Sequence, residues 1–376
     1  MKVLHLISGG DTGGAKTHVI SLVKGLGQYV DVKIICFIND AFYREAMAAG
    51  LDIEVFEQKK RYDMSVISKL KEEIKSEEYD IIHCHGARAN FIAFFLKGKV
   101  DVPFITTVHS DYKLDFKDNP YKRIVYTTLN STSLKKFDYY IAISSNFKKM
   151  LVDRGFDEDK IFTVYNGIDL KSELDYVSKE EFLNRYNING DGKTIVGIMA
   201  RLDAVKDHET FIKAAYNVLK KREDVLFLIA GVGNDEERLK SMVRDLGISE
   251  QVHFLGYVID HYSFFNAIDI NVLTSVSESF PYVILEGSRL KKTIISTNVG
   301  GIGDLVENGY NGWLIDVGDS VQLANRIISF LDDNNSIKVL GENLYKTVED
   351  NFSSDKMAQN HVKIYEKIIE NRRKPV

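Results

Sequence analysis

The sequence predicts an α/β protein made of two doubly wound, Rossmann-like domains that face each other across a cleft. Three observations lead to this fold class. Short apolar runs alternate with amphipathic segments of helical period, a pattern typical of parallel strands joined by helices. The alternation stops at Asn166-Gly167-Ile168-Asp169 and starts again at Thr194. The chain has 376 residues, and at about 150 residues per domain two domains are expected.

The predicted first domain spans residues 1–166. Each of its strands is a short run of mostly apolar residues, and each helix has apolar residues three and four positions apart. The predicted strands are residues 3–7, 32–38, 80–84, 104–108, 139–143 and 162–164. The predicted helices are residues 15–26, 64–75, 87–96, 121–136 and 146–152.

The predicted second domain spans residues 167–354. It begins with a polar stretch, without strands, that runs to about Lys193. Apolar runs then predict strands at residues 194–199, 225–230, 252–254, 270–273 and 293–296, with helices between them. Residues 355–371 have the pattern of one long helix.

Composition excludes several classes of protein. Apolar residues make up 44% and charged residues 27%, as in ordinary globular proteins, and a net charge of −5 does not suit a nucleic-acid binder. Cys36 and Cys84 lie in apolar runs, so buried thiols are expected rather than a disulfide. No run approaches the roughly 18 apolar residues of a membrane helix, and the first apolar run is too short for a signal peptide. We therefore expect a cytoplasmic protein.

Ligands of open parallel sheets bind beyond the carboxyl ends of strands, so the residues that follow each strand matter most. The first strand is followed by a glycine-rich loop that includes Gly13 and Gly14 and opens a helix. This loop is either a tight turn or a close approach of backbone to a ligand phosphate. It matches neither the dinucleotide-binding fingerprint nor a Walker loop, which disfavours a dehydrogenase.

A histidine directly follows each of two predicted strands of the first domain. His85 and His109 are expected at the ligand edge of the sheet, whereas His5 and His83 lie within strands and are expected to be structural. A zinc site formed by His85, His109 and Asp111 is an alternative. No His-x₃₋₅-His or Cys-x₂-Cys spacing supports it.

Charged residues follow the first strand of the second domain. Arg201 comes directly after the strand and Lys206 five residues later, and two such cations can grip a diphosphate, since arginine offers a planar fork and lysine a point charge. The alternative is a pair of solvated surface charges. A later loop carries Glu278, and Pro281 suits the first turn of the helix that follows and contains Glu286. The amides of that first turn and the two carboxylates can together hold phosphates and sugar hydroxyls.

These residues resemble the retaining, two-domain glycosyltransferases of GT-B fold, specifically glycosyltransferase family 4 (glycosyl transferases group 1). The resemblance covers almost the whole chain. Its motifs are listed here in chain order: Gly13-Gly14-Ala15 with His18, His109, Asn166-Gly167-Ile168-Asp169, Arg201 with Lys206, Glu278-x₇-Glu286, Gly300-Gly301, and Glu307-Asn308-Gly309-Tyr310-Asn311-Gly312.

The resemblance implies a role for each motif. Arg201 and Lys206 bind the donor diphosphate, Glu286 holds the ribose, and Glu278 holds the donor sugar. His109 contacts that sugar near its anomeric carbon. The catalytic set is therefore His109, Glu278, Arg201 and Lys206; the remaining donor-binding residues are Gly13, Gly14, Phe280, Pro281, Tyr282, Val283 and Glu286.

The resemblance also implies how the domains are used. The first domain binds the acceptor, for which His85 and Lys16 are the expected contacts, and a C-terminal helix, at about 355–376, crosses back to complete it. Two residues depart from the family pattern: Lys16 stands where an acidic residue is common, and Ser279 where glycine is common. No metal and no cofactor are expected, since the two cations supply the counter-charge and the nucleotide sugar is a substrate.

The function implied is transfer of a sugar from a nucleotide sugar, with a UDP-sugar as the expected donor, to a glycan or lipid-linked acceptor in bacterial surface polysaccharide synthesis. A nucleotide-sugar epimerase of GT-B fold and a non-catalytic nucleotide-sugar-binding protein are the alternatives. Basic and aromatic residues alternate over residues 112–126, and this pattern suits either peripheral contact with an anionic membrane or a solvated acceptor loop.

Overall fold

The computed structural model describes residues 1–10, 14–60, 63–111 and 130–373. The chain forms two compact units. The first unit comprises residues Met1–Asp169 and Ser353–Val376, and the second comprises Leu170–Phe352. Each unit is a parallel sheet covered by helices, so the predicted α/β class with two Rossmann-like domains is confirmed.

The described part of the first unit contains a sheet of seven parallel strands in the order β3-β2-β1-β4-β5-β6-β7. These strands are β1 (Lys2–Ile7), β2 (Asp31–Cys36), β3 (Ile53–Val55), β4 (Ile81–His85), β5 (Phe104–Val108), β6 (Tyr139–Ala142) and β7 (Ile161–Thr163). Its helices are α1 (Gly14–Leu26), α2 (Ala41–Ala48), α3 (Ser65–Ser76), α4 (Gly86–Leu96), α5 (Ser145–Asp153) and, from the end of the chain, α14 (Ser354–Arg373). Residues 130–134 are also helical, and the rest of the helix predicted at 121–136 lies outside the described residues.

The second unit contains six parallel strands in the order β10-β9-β8-β11-β12-β13. These strands are β8 (Thr194–Met199), β9 (Val225–Ala230), β10 (Val252–Gly256), β11 (Ile270–Leu273), β12 (Thr293–Thr297) and β13 (Trp313–Ile315). Its helices are α6 (Lys179–Arg185), α7 (His208–Leu219), α8 (Glu236–Asp245), α9 (His261–Ala267), α10 (Tyr282–Arg289), α11 (Ile302–Leu305), α12 (Ser320–Asp332) and α13 (Asn334–Asn351).

Local chemistry explains where these elements begin. Strand β9 is apolar throughout, because helices cover both faces of its sheet and every one of its side chains is buried. Several helices start at a residue whose side-chain oxygen accepts a hydrogen bond from a first-turn amide. These capping residues are Ser144, Ser178, Asp207, Asp260 and Asp319.

The prediction missed strands β3 and β13 and helix α2, and it extended β2 to residue 38 instead of Cys36. Both missed strands have three residues and lie at the edge of a sheet. Three residues are too few to show a period in the sequence. Pairing with a neighbouring strand, rather than a local sequence pattern, defines β3 and β13. With β3 included, His109 follows the fifth strand of the first unit rather than the fourth.

The segment Asn166-Gly167-Ile168-Asp169 belongs to the first unit, so this unit ends at Asp169 rather than at residue 166. Ser354 N donates to the Ile168 carbonyl at 2.9 Å, which ties the segment to the start of α14. A Cβ on Gly167 would lie 2.5 Å from the Ser353 carbonyl oxygen, so glycine is needed for this close approach.

Helix α14 packs on α1 and on the first sheet. Its buried residues Met357, Ala358, Tyr365 and Ile368 share a core with β1, β4 and β5. Among the described residues, no helix combines the length and the hydropathy that crossing a bilayer requires.

Candidate functional site

Each sheet has a point where strand order reverses, and such points are where open α/β sheets bind ligands. In the second unit the reversal lies between β8 and β11, because the chain proceeds from β8 to β9 and β10 on one side and returns to β11 on the other. In the first unit it lies between β1 and β4. Most of the predicted site residues lie at the carboxyl ends of these four strands, and His109 follows the neighbouring strand β5.

At the reversal in the second unit, the loops after β8 and β11 are joined by an ion pair. Lys206 Nζ donates to Glu278 Oε1 at 2.5 Å, and Ser275 Oγ donates to the same oxygen at 2.6 Å. The Glu278 side chain is only 9% exposed and that of Lys206 is 18% exposed. The structure thus brings together two predicted catalytic residues that are 72 positions apart in the chain.

Backbone contacts hold the same two loops in place. Thr274 Oγ1 donates to the carbonyl oxygens of Lys206 and Asp207 at 3.0 and 2.9 Å. Val276 N donates to the Val205 carbonyl at 2.9 Å. The loop that carries Lys206 is therefore fixed to the end of β11 before any ligand arrives, which lowers the ordering cost of binding.

Arg201 differs from Lys206 in its surroundings. Its side chain is 76% exposed, and it pairs with Asp203 through a contact of 3.0 Å. Because such a surface ion pair contributes little free energy, the guanidinium can exchange Asp203 for a ligand at little energetic cost. The two predicted phosphate-binding cations are thus one fixed ammonium and one exposed guanidinium.

The glycine-rich loop after β12 packs against the Glu278 loop. Gly300 has a φ of +58°, and a Cβ there would lie 1.8 Å from the Glu278 carbonyl oxygen. Gly301 N donates to the Ser279 carbonyl at 2.8 Å. Any side chain at Gly300 would therefore displace Glu278, which gives a structural reason for glycine at this position of the motif.

Helix α10 begins directly after Pro281, its N-cap residue, so the amides of Tyr282 and Val283 lie in its first turn, where no carbonyl of the helix reaches them. The Phe280 and Tyr282 side chains are buried, and the Phe280 ring packs on Phe352. Contacts of this segment with a donor must therefore come from its backbone rather than from those two rings.

Glu286 lies one turn into α10. Its carboxylate is 3.9 Å from His261 Nε2. Burial raises the pKa of Glu286, while His261 and Arg289 act in the opposite direction. A partly buried carboxylate beside a helix start is well placed to accept hydrogen bonds from vicinal hydroxyls, the role predicted for it.

At the reversal in the first unit, histidines cluster on one face of the sheet. His5 pairs in register with His83 across β1 and β4, and His85 lies two residues on, on the same face. His83 is held by Tyr365 at 2.6 Å and by Thr107 at 2.7 Å. Helices α1 and α14 cover this face with His18 and His361, so six of the nine histidines in the chain form one cluster that ends at His109.

The structure corrects the role predicted for His85. Its side chain is 1% exposed, so it cannot contact an acceptor directly. It lies behind His109, with His85 Nδ1 and His109 Nε2 3.2 Å apart. Lys16, the other predicted acceptor contact, pairs with Glu45 at 2.6 Å.

Of the glycine-rich loop, the segment beyond Asp111 and the zinc site considered from the sequence, the structure describes only a part. Gly13 lies outside the described residues, as does the basic and aromatic segment beyond Asp111, whereas Gly14 begins α1. Asp111 binds Arg154 at 2.7 Å, so it does not complete the zinc site considered from the sequence. His18 lies with His85 and His109 instead, with one ring nitrogen of each within 4.8 Å of the others.

Burial keeps the clustered histidines neutral. It lowers the pKa of His5 to about 3, those of His109 and His361 to about 4, and those of His18, His83 and His85 well below the ordinary value of 6.5. Because charging one ring disfavours charging the next, neighbouring histidines lower the pKa values of five of these rings below what burial alone would give, whereas the pKa of His361 shows no such effect.

We therefore expect acid to destabilise the first unit before carboxylates titrate. Histidines in the unfolded chain take up protons near pH 6.5, whereas those of the folded cluster do not. The free energy of unfolding therefore has its full value above that pH and falls as the pH drops toward 4. Each histidine contributes up to about 1.4 kcal/mol per pH unit. Denaturant titrations between pH 6.5 and 5 measure this slope. His361→Leu should reduce it by about one proton; a flat profile in the wild type would contradict the neutral cluster.

Sequence reasoning missed the cluster itself. The sequence pattern predicts structural roles for His5 and His83 and assigns no role to His18. One local signal was available: His83 and His85 are two residues apart in a predicted strand, so their rings must share a face. The contributions of His5, His18 and His361 follow only from strand order and from the return of α14.

Two family models match the chain. The model described as Glycosyl transferases group 1 matches residues 178–347, and Glycosyltransferase Family 4 matches residues 12–172. The chain is 26% identical to N-acetyl-alpha-D-glucosaminyl L-malate synthase of Bacillus anthracis, covering 82% of this chain and 80% of that protein. It is 24% identical to the UDP-Gal:alpha-D-GlcNAc-diphosphoundecaprenol alpha-1,3-galactosyltransferase of Escherichia coli, covering 82% and 81% of the two chains.

A solved structure shares the fold over the full length. The Anabaena protein HepE, crystallised with UDP, superposes with a TM-score of 0.82 at 21% identity, covering 98% of this chain and 100% of HepE. The same protein has also been crystallised with UDP-glucose, with a TM-score of 0.81. At this identity the match shows a shared two-domain architecture.

Proposed function

Because the chain belongs to the GT-B glycosyltransferases of family 4 (glycosyl transferases group 1), we propose that it transfers a sugar, with retention of anomeric configuration, from a UDP-sugar to a hydroxyl of a glycan or lipid-linked acceptor. The pathway we propose is synthesis of a bacterial surface polysaccharide. The observation that carries this proposal is the ion pair of Lys206 with Glu278 at the strand-order reversal of the second unit, where the loop of Lys206 also carries Arg201.

The roles proposed for the donor-binding residues follow from the negative charge of the leaving group. Breaking the bond between the anomeric carbon and the donor phosphate leaves a nucleoside diphosphate with an added negative charge. Arg201 and Lys206 stabilise that charge, and the first-turn amides of α10 add backbone donors. Glu286 binds the ribose hydroxyls and Glu278 the sugar hydroxyls. Binding of UDP and UDP-glucose by HepE supports uridine as the nucleoside of the donor.

The transfer step needs no protein nucleophile. The acceptor oxygen bonds to the anomeric carbon on the face from which the diphosphate departs, and the acceptor proton passes to an oxygen of the leaving phosphate. The two cations supply the counter-charge, so we propose that the reaction requires no metal and no cofactor. The name of the Escherichia coli relative, which specifies an acceptor on a polyprenyl diphosphate, supports a lipid-linked acceptor for this chain.

A panel of UDP-, GDP- and ADP-sugars tests the proposal. A donor at 100 times its Kd should stabilise the protein by about 2.7 kcal/mol, and we expect this from a UDP-sugar. Transfer to polyprenyl-diphosphate-linked and free sugars is then assayed with and without EDTA, and NMR of the product reports the anomer. An inverted anomer, or loss of activity in EDTA, would contradict the mechanism. Conversion of the donor without any acceptor would indicate an epimerase, and binding without turnover a non-catalytic protein.

A further inference from the structure

Three imidazoles of the first unit form a hydrogen-bonded line that leads to the ligand edge. His5 Nδ1 is 2.9 Å from His85 Nε2, and His85 Nδ1 is 3.2 Å from His109 Nε2. His5 and His85 are fully buried, whereas His109 is partly exposed after β5. With its Nε2 engaged, His109 has Nδ1 left for a ligand.

A line of neutral imidazoles can be protonated in two ways. Each ring carries one N–H and one lone pair, so every ring that accepts at one nitrogen must donate from the other. In one arrangement His5 donates to His85, His85 donates to His109, and His109 has its proton on Nδ1. In the other arrangement all donors are reversed, and His109 exposes a bare Nδ1. Both arrangements keep the two hydrogen bonds within the line. They differ in hydrogen bonding only at its two ends, His5 Nε2 and His109 Nδ1.

The buried end decides between them. His5 Nε2 is buried and has no hydrogen-bond partner. In the reversed arrangement this atom would carry an unpaired buried N–H, which is rarer in proteins than an unpaired buried acceptor. In the first arrangement it is a bare lone pair. The lower-energy arrangement therefore places protons on Nδ1 of all three rings.

Two neighbouring rings show the same choice. His361 Nδ1 lies 2.8 Å from the Met357 carbonyl oxygen, which only accepts, so the proton is on Nδ1 and the buried Nε2 is bare. His18 Nδ1 lies 2.9 Å from Asn166 Oδ1 and its buried Nε2 likewise has no partner. The cluster thus already accommodates buried, unprotonated Nε2 atoms.

We propose that His5 and His85 are positioning residues that hold His109 in the Nδ1–H tautomer, so that His109 presents a hydrogen-bond donor to a ligand oxygen at this edge of the first sheet. This inference rests on the proposed function. It also assigns what His109 does not do: a ring with no lone pair facing the ligand cannot take the acceptor proton. That proton must then go to the leaving phosphate.

The tautomer can be measured without any sugar transfer. In protein labelled with ¹⁵N-histidine, long-range ¹H–¹⁵N spectra distinguish protonated from bare ring nitrogens, and single variants assign the signals. We expect a protonated Nδ1 and a bare Nε2 for His109 at pH 7. A bare Nδ1 on His109 would overturn the proposal, whatever the fate of the proposed function.

Two substitutions at His85 test the positioning role. In His85→Asn the amide nitrogen takes the place of Nδ1 and still donates to His109. In His85→Gln the amide takes the place of Nε2, keeps the contact with His5 and loses the contact with His109. We expect His85→Gln to lower kcat about 10-fold or more and to leave KM nearly unchanged, and we expect His109 in this variant to be no longer held in the Nδ1–H tautomer. His85→Asn should retain kcat within a few-fold.

The matched pair separates positioning from packing, because both variants remove the same buried ring. His361→Asn, outside the line, controls for loss of a buried histidine and should leave kcat unchanged. Equal losses of kcat in His85→Asn and His85→Gln would overturn the proposal. So would a His85→Gln variant that keeps both the wild-type kcat and the Nδ1–H signal of His109.

Discussion

Replacing Arg201 by Ala is expected to lower kcat by roughly 10²-fold or more while leaving the free energy of unfolding almost unchanged. The loss in rate is expected because charge develops on the leaving diphosphate, and an oriented cation in such a site contributes several kcal/mol. Stability should hold because the Arg201 side chain is 76% exposed and its pair with Asp203 is a surface pair, of about 1 kcal/mol at most. Initial rates and denaturant titration measure the two quantities.

The control for Arg201 is another exposed arginine of the same unit. Arg238 pairs with Glu209 at 2.8 Å and with Asp235 at 3.2 Å, and it lies on α8. Arg238→Ala removes comparable surface ion pairs, so it should match Arg201→Ala in stability and the wild type in kcat. Wild-type turnover in Arg201→Ala would reject its place in the diphosphate site.

Lys206→Ala should reduce both rate and stability, because it leaves the carboxylate of Glu278, only 9% exposed, without its cation. Adding Glu278→Gln removes that uncompensated charge. The double variant should therefore recover stability and not turnover. A double variant that recovers turnover would show that Lys206 acts only as a structural partner of Glu278.

The second large effect separates the two glutamates of the Glu278-x₇-Glu286 motif. Glu286→Gln should weaken the binding of donor and of free UDP alike, by about 10- to 100-fold, because a charge-assisted contact with the ribose hydroxyls is lost in every bound state. Glu278→Gln should instead lower kcat by roughly 10-fold or more, because its contact with the sugar matters most as positive charge develops on the ring.

The ion pair sharpens the expectation for Glu278. With Gln at this position, the Lys206 ammonium loses its carboxylate partner and is free for the diphosphate. Free UDP should therefore bind Glu278→Gln at least as tightly as it binds the wild type. Calorimetric titration of UDP into both variants, beside initial rates, measures the split. If Glu278→Gln loses affinity for UDP while Glu286→Gln does not, the sugar and nucleoside ends have been assigned the wrong way round.

The loops of the candidate site were predictable because each begins where an apolar run ends. Arg201 follows the run at 194–199, and the Glu278 loop follows the run at 270–273; both strands occur with those bounds. Glycine and proline mark where the chain leaves or enters a regular element, as Pro281 does before α10. These are local signals, and one sequence carries them in full.

Contacts between loops were not predictable in the same way. The resemblance assigned Lys206 to phosphate and Glu278 to sugar, and nothing in the pattern of either segment indicates that they bind each other. Likewise His85 was expected to reach an acceptor, whereas its ring is buried behind His109. Exposure at a strand end depends on the side chains that neighbouring strands and helices contribute.

Apolar periodicity and turn chemistry act over a few residues, so the sequence alone predicts the α/β class, the division into two sheets near residue 166, and the polar residues that follow the strands. Which of those residues meet depends on the tertiary structure. Strand order places β8 beside β11 and β1 beside β4, and so joins Lys206 to Glu278 and aligns His5 and His85 behind His109. The physical reason is that these contacts form between residues dozens of positions apart, and their energy depends on burial and on proton placement that no single segment specifies.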